Sequence, residues 1–279
     1  DFGAVFVATC IAAAVGSLVM GVWANYPIAQ APGMGQNAFF TYGIVLGLGH
    51  TWEAALGAVF VSGIIFVILS VLPVREWLIN AIPKNLKLGI SAGIGLFLGF
   101  IALQNAGVVV ANPATLVTFG DMAAPGAIIC LAGFALIVAL TARGVTGAVI
   151  IGMLVATALG LAVGATEYQG VVAAPPSLAP VLFKFDLMAV LDVSMVTVVL
   201  TMLLVDVFDT AGTLVGVANR AGLTDADGKL PRLGRALLSD STATVVGAVA
   251  GTSSTTSYIE SAAGVESGGR TGLVAVTAA

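Results

Sequence analysis

Residues 25–40 read NYPIAQAPGMGQNAFF. They lie inside a run of 51 residues, 2–52, that holds no Asp, Glu, Lys or Arg. A membrane-spanning helix needs about 20 apolar residues, so the run has room for two. Its centre cannot be helical throughout. Pro27 and Pro32 break the hydrogen-bond ladder, and Gly33 and Gly35 weaken what is left. Asn37 reads as the cap of a helix starting just beyond it. The stretch therefore predicts an extended segment followed by a half-helix, in apolar surroundings.

The rest of the chain has the same character. Of 279 residues, 10 are Lys or Arg and 14 are Asp or Glu, which makes 9% charged against 59% hydrophobic. Mean hydropathy is +1.09. A soluble domain carries about 25% charged residues and could not cover its surface with so few. Composition excludes a soluble globular enzyme, a disordered chain and a nucleic-acid binder. The net charge of -4 says little when most of the surface faces lipid. Barrel strands would give short alternating segments. Here 54–74, 88–120, 122–142, 144–166 and 241–259 are also free of charge. The class is an all-α polytopic protein of the inner or plasma membrane. The 35 glycines fit it, since helices in lipid associate through small residues.

The expected spans are 2–24, 37–49, 54–72, 88–110, 126–142, 145–164, 193–217, 235–250 and 258–265 onward, nine in all. If the first runs from outside to inside, Arg75, Lys84, Lys87, Arg143, Arg220, Lys229, Arg232, Arg235 and Arg270 all fall inside and Lys184 alone outside. The loop 167–192, with Pro175, Pro176 and Pro180, reads as an external excursion, part strand or interfacial helix. In the loop 219–234, Asp225, Asp227 and Gly228 resemble part of a calcium loop, but the spacing fits a plain turn. Asp1 and an apolar stretch at Ala279 read as the ends of a segment cut from a longer chain.

A second interruption lies at 251–264, GTSSTTSYIESAAG, where small hydroxyl and β-branched residues precede helix-like sequence. Each interruption follows a Gly-rich span, VGSLVMG (15–21) and VGAVAG (246–251), and the two enter from opposite sides of the membrane. This reads as an inverted repeat. Paired discontinuous helices point to a transporter's midplane site. Two simple re-entrant kinks are the alternative.

Three carboxylates lie deep in apolar sequence. Asp206 and Asp209 sit mid-span in VLTMLLVDVFDTAGTL (199–214), three residues apart on one helix face that Thr213 extends. Glu260 sits where the second interruption becomes helix. Each costs about 2.5–3.5 kcal/mol or more at the bilayer centre, so a functional or paired role is the default. No Lys or Arg lies near mid-depth to pair with them. Asp240, near Arg235, reads as a structural group that pairs with that arginine or bonds to a broken segment. Asn37 reaches the same cavity if it does more than cap. Cys10 and Cys130 read as buried reduced thiols, His50 as interfacial, and Trp23, Trp52 and Trp77 as an aromatic belt. Gly33-x-Gly35 follows no βαβ strand and is no dinucleotide fingerprint. No residues have metal-site spacing.

The segments ANYPIAQAPGMGQNAFF (24–40), VFDTAGTLVGVANRAGL (207–223) and DSTATVVGAVAGTSSTTSYIESAAGVESGGRTGL (240–273) resemble the adenine/guanine/hypoxanthine permease family of the nucleobase–ascorbate transporter superfamily. The resemblance implies fourteen spans in two inverted repeats of seven, of which this chain would hold the second to tenth. Residues 1–72 and 193–279 would be core-domain spans with broken elements near 26–37 and 251–261, and 73–192 gate-domain spans plus the external loop. Purine would bind between the third, eighth and tenth spans. Asp209 and Glu260 match the family's eighth- and tenth-span carboxylates, and Asn37 its third-span polar residue. Asp206 lies outside the motif, and Gln36 stands where an apolar residue is expected.

The implied substrate site is Asp209, Glu260, Asn37, Thr213, Gly33, Gly35, Ser257 and Ser261. Asp209 and Glu260 would handle the coupling proton, with Asp206 a third candidate. A purine offers N–H donors beside lone pairs, and a carboxyl can accept from the former and, when protonated, donate to the latter. The expected function is proton-coupled purine uptake with no cofactor and no enzymatic activity; a homodimer is left open. The rivals are a same-fold transporter of a pyrimidine base or of a small anion, the latter wanting a cation in its cavity, and an intramembrane aspartyl protease, whose Gly-x-Gly-Asp setting is missing. The charge pattern makes a direct prediction. With Cys10 and Cys130 removed, Lys184→Cys reacts with a membrane-impermeant thiol reagent in intact cells, while Arg143→Cys reacts only after the membrane is opened. The opposite result inverts the topology.

Overall fold

A computed structural model describes residues 1–72, 84–145, 147–168, 170, 174–225 and 230–279. The chain forms two compact units, one of Asp1–Gly93 with Pro175–Ala279 and the other of Ile94–Ala174. Arg75, Trp77, Asp227, Gly228 and Lys229 lie outside the described residues.

In the first unit, helix α1 (Phe2–Val19) begins where the Asp1 carboxylate accepts from Gly3 N and Ala4 N. It widens into a π-turn over Met20–Ala24 and stops at Asn25, whose φ of 54° is left-handed. Pro27 then forbids a restart. Strand β1 (Gln30–Pro32) leads into half-helix α2 (Met34–Ala38), which continues as π-helix over Phe39–Gly47. Helix α3 (Trp52–Val71) is capped by Thr51, with Glu53 in its first turn, where the helix dipole favours it. Helix α4 (Lys84–Asn105) passes from the first unit into the second.

The second unit continues with strands β2 (Val109–Asn112) and β3 (Leu116–Phe119), an antiparallel hairpin with Val109 opposite Phe119. Helices α5 (Pro125–Ala142) and α6 (Ala148–Ala162) follow as an antiparallel pair. They close where Gly133 meets Ala156 and Gly152 meets Ile137. Small residues allow that approach.

The chain returns to the first unit through residues 175–192. Two backbone bonds fasten this segment: Asp186 N donates to Glu53 O on α3, and Phe183 N donates to Val249 O. Helix α7 (Val193–Arg220) starts at Asp192, whose carboxylate accepts from Ser194 N. Those bonds, from the backbone and hydroxyl of Ser194, hold the Asp192 carboxyl below its usual range. Helix α8 (Leu233–Ala250) ends at Gly251, strand β4 (Thr255–Ser257) follows, and short helices α9 (Ser261–Glu266) and α10 (Leu273–Ala278) complete the chain. Helix α8 packs on both α1 and α3. Its buried face is mostly small: Gly234, Ala236, Ser239, Ala243, Gly247 and Ala248.

The two interruptions meet. Strands β1 and β4 pair antiparallel, Gln30 opposite Ser257 and Pro32 opposite Thr255. The ladder extends at both ends, Gly33 N donating to Ser254 O and Tyr258 N to Ala29 O. Backbone that has left a helix thus finds partners in apolar surroundings. Side chains fasten the pair to the helices. Asp240 Oδ1 accepts from both N and Oγ of Ser257 at 2.7 Å, and its Oδ2 accepts from Thr210 Oγ1 on α7 at 2.7 Å. Thr244, one turn on, donates to Thr255 O at 2.8 Å.

Several expectations change. Asn37 does not cap the half-helix, because α2 already begins at Met34 with Gly33 at its cap. Tight backbone pairing between Gly33 and Ser254 sets that start. The span drawn at 88–110 runs into strand β2, since β-branched residues in a charge-free run look apolar in either conformation. Loop 167–192 forms only a 3₁₀ turn, Ala189–Leu191, and no strand among its described residues. Cys10 is exposed and Cys130 half-buried, so neither is a core thiol. An apolar run does not say which face meets lipid. Among the described residues four helices are long and apolar enough to cross a membrane: Phe2–Ala24, Trp52–Val71, Pro125–Ala142 and Val193–Arg220. Shorter or more polar helices stand at the other expected spans.

Two substitutions test this framework. Asp240→Ala strands the buried Ser257 N–H and should cost about 2–4 kcal/mol. Gly251 has φ of +101° and a Cβ there would meet Val181, so Gly251→Ala should cost about 1–3 kcal/mol. Both should lower the thermal unfolding midpoint in detergent, whereas Gly35→Ala, with open space around it, should lower it less.

Candidate functional site

Helix α7 presents three acidic or hydroxyl groups of interest on adjoining faces. Asp206 and Thr213 are buried and Asp209 is half-buried. Among the described residues no hydrogen bond engages the Asp209 carboxylate. Glu260 is exposed, at the cap of α9, and lies within electrostatic reach of Asp209. Tyr258 stands by both, and its hydroxyl donates to Pro32 O at 2.6 Å. Asp209, Tyr258 and Glu260 thus lie within electrostatic reach of one another, where the second broken element meets α7 and Ile259 lies against Gly216. Two carboxylates and an aromatic ring offer hydrogen-bond acceptors beside a flat apolar face.

Asp206 is different. Its Oδ1 accepts from Gln36 Nε2 at 3.0 Å, with Ser254 Oγ at 3.3 Å and Thr244 Oγ1 at 3.3 Å from Oδ2. Each hydroxyl has one proton and a closer acceptor: Gln36 Oε1 for Ser254 and Thr255 O for Thr244. The Gln36 carboxamide is therefore the donor committed to Asp206. Asp240 is bonded by Ser257 and Thr210 instead of pairing with Arg235, which takes the second of the two roles expected of it. At the end of α7, Arg220 pairs with Glu266 at 2.6 Å on an exposed surface.

The remaining expected residues separate into groups. Asn37 accepts from the Ser253 hydroxyl and faces a cavity of about 460 Å³ that Thr9, Phe40, Trp52 and Thr252 also line. Neither Asp209 nor Glu260 lines it. Ser257 is spent on Asp240, and Ser261 Oγ accepts from Ala29 N at 3.0 Å. Gly33 lets the strands and Gln36 approach, since a Cβ there would meet Gln36 Oε1 at 2.8 Å. Gly35 has no such neighbour. Tyr258 and the Gln36–Asp206 bond were not singled out from sequence. A signal existed for the framework: Asp206-x-x-x-Thr210 on α7 and Asp240-x-x-x-Thr244 on α8 share one spacing, and Thr210 bonds Asp240 across the helices.

Comparison with known proteins accords with this architecture. The sequence profile described as Permease family matches residues 1–279. The chain is 50% identical over 279 residues to the guanine/hypoxanthine permease PbuG of Bacillus subtilis, covering 99% of this chain and 63% of that protein. It is 46% identical over 276 residues to the adenine permease AdeP of Escherichia coli, covering 99% and 62%. It is 50% identical over 280 residues to the putative permease MJ0326 of Methanocaldococcus jannaschii, covering 100% and 64%. The chain thus spans a little under two thirds of the length of these relatives. It is an integral, multi-pass membrane protein and not an enzyme. Over its whole length the chain belongs to the permease family.

Proposed function

We propose that the protein carries purine nucleobases across the cell membrane together with a proton. The observation that carries this reading is Asp209, half-buried on α7 with no hydrogen bond to its carboxylate among the described residues, within electrostatic reach of Tyr258 and Glu260 where the second broken element meets α7 and Ile259 lies against Gly216. Asp206 and Asp240 are engaged in the framework by neutral donors, whereas Asp209 is left for a ligand. A purine edge supplies N–H groups to such acceptors, and a base stacks on a tyrosine face. The names of the relatives, adenine permease and guanine/hypoxanthine permease, support a purine substrate.

Proton coupling follows from the same chemistry. Half-buried Asp209 and exposed Glu260 lie within electrostatic reach and repel as carboxylates, and a proton bound there relieves the repulsion. The protonated carboxyl can then donate to a ring nitrogen, so substrate and proton stabilise each other's binding. Gly33 and Ser261 shape the broken elements around this site, Thr213 continues the α7 face, and Asn37 belongs to the first element. The antiparallel β1–β4 pair supports the inverted-repeat reading, with residues 1–72 and 193–279 as core and 73–192 as gate.

Uptake of labelled adenine and hypoxanthine tests the proposal in cells lacking their own purine permeases and expressing the whole protein. Uptake should be faster at acid than at mildly alkaline pH. Asp209→Asn and Glu260→Gln should each reduce it about tenfold or more, the effect of losing one charge-assisted hydrogen bond. Unchanged uptake in both variants would sink the assignment of those carboxylates. No purine uptake by well-expressed wild type would sink the substrate.

A further inference from the structure

The Gln36 side chain is buried, 2% exposed, in the first turns of α2. Such a carboxamide is costly to bury unless its donor and acceptor are both used. Here both are. Oε1 accepts from Ser254, just before β4, and Nε2 donates to Asp206 on α7 at 3.0 Å. One side chain thus ties the first half-helix to the second broken element and to the helix that bears Asp209. Among the described residues it is the side-chain hydrogen bond that joins α2 to α7. The second broken element has its own ties to α7 through Asp240, Thr210 and Thr256. The first half-helix is held to the second broken element by Gly33 and Asn37 as well, but among the described residues its direct side-chain tie to α7 is Gln36.

Asp206 lies three residues before Asp209, so whatever holds Asp206 also sets the rotation of α7 at the site. We infer that Gln36 is a positioning residue: through Asp206 it fixes the spacing between the first half-helix and Asp209, and thereby the affinity for the transported base. This rests on the purine-transport reading above. In Gln36→Leu the Ser254 hydroxyl loses its first acceptor and can turn to Asp206 instead, 3.3 Å away. The carboxylate is then still served, and what is lost is the tie from α2. In Gln36→Glu two carboxylates face each other at the same place.

The test is equilibrium binding and uptake of labelled adenine and hypoxanthine by the whole protein, with Gln36→Leu, Gln36→Glu and the exchange Gln36→Glu/Asp206→Asn. In the exchange, amide and carboxylate trade places: the donor now sits on α7, the acceptor on α2, and the bond returns with reversed polarity. Both single variants should reach the membrane at wild-type level and raise KM and Kd about tenfold, with maximal rate little changed. The exchange should recover most of what Gln36→Glu loses, as coupled residues do. Unchanged affinity in Gln36→Leu overturns the inference, as does an exchange no better than Gln36→Glu alone. If Gln36→Leu and Gln36→Met both fail to accumulate, the role is in folding and the inference also falls. Wild type that binds no purine removes the transport reading itself, and this inference with it. Wild-type binding beside unaffected Gln36 variants removes only this one.

Discussion

Backbone in lipid has nowhere to turn for hydrogen bonds except to other protein. Two segments of this chain leave the helix in apolar surroundings, and each supplies what the other lacks. Strand β1 alone would leave N–H and C=O groups stranded, and so would β4; the pairing satisfies part of the backbone from Ala29 to Gly33 and from Ser254 to Tyr258, and side chains such as Ser17, Thr244 and Asp240 take other groups, among them Gln30 N and O, Thr255 O and Ser257 N. The partners lie near opposite ends of the chain, so the first interruption can be satisfied only after the second has been placed. Helix α8 serves as the post on which this happens. Its small residues admit α1, α3 and strand β4 at close range.

The two interruptions are chemically unlike. The first contributes prolines and glycines, which shape the backbone but offer few side-chain hydrogen bonds. The second contributes a run of hydroxyls, Thr252 to Ser257, all buried. A buried hydroxyl needs an acceptor, and acidic groups on α7 and α8 provide several. Asp240 collects three short bonds and fixes β4. Asp206 has one committed donor, from Gln36, and shares two hydroxyls with nearer acceptors. Asp209 is left out of this network. The same helix therefore carries one carboxylate bound into the framework and another available for a ligand, a single turn apart.

This division gives the proposed transport a physical form. A site that must bind and release a polar base within the membrane cannot be built from fully satisfied groups, because nothing would remain for the substrate. Nor can it rest on loosely held backbone, because unsatisfied groups would cost more than a base could return. A satisfied crossing of broken elements with two uncommitted carboxylates at its edge meets both demands. The strands and the Asp240 network supply rigidity, and under the proposed function Asp209 and Glu260 would supply the chemistry.

How much of this could be read without coordinates depends on range. Charge-free runs identified a helical membrane protein, because the length of an apolar segment and the absence of charge are properties of contiguous sequence. Pro27, Pro32 and the glycines just after them located the first interruption for the same local reason, and the deep carboxylates stood out against their neighbours. Resemblance of long motifs identified the family. Pairing of the two interruptions, the start of α2 at Met34 and the facing of Gln36 toward Asp206 join residues far apart in sequence, and no local pattern encodes them. Strand β2 hid within an apolar run because β-branched residues suit either conformation there. Above all, Asp206, Asp209 and Asp240 look alike in sequence, each an acid in apolar surroundings. Only the tertiary structure could tell which of them had spent its hydrogen bonds, since their partners come from other helices and from the opposite end of the chain.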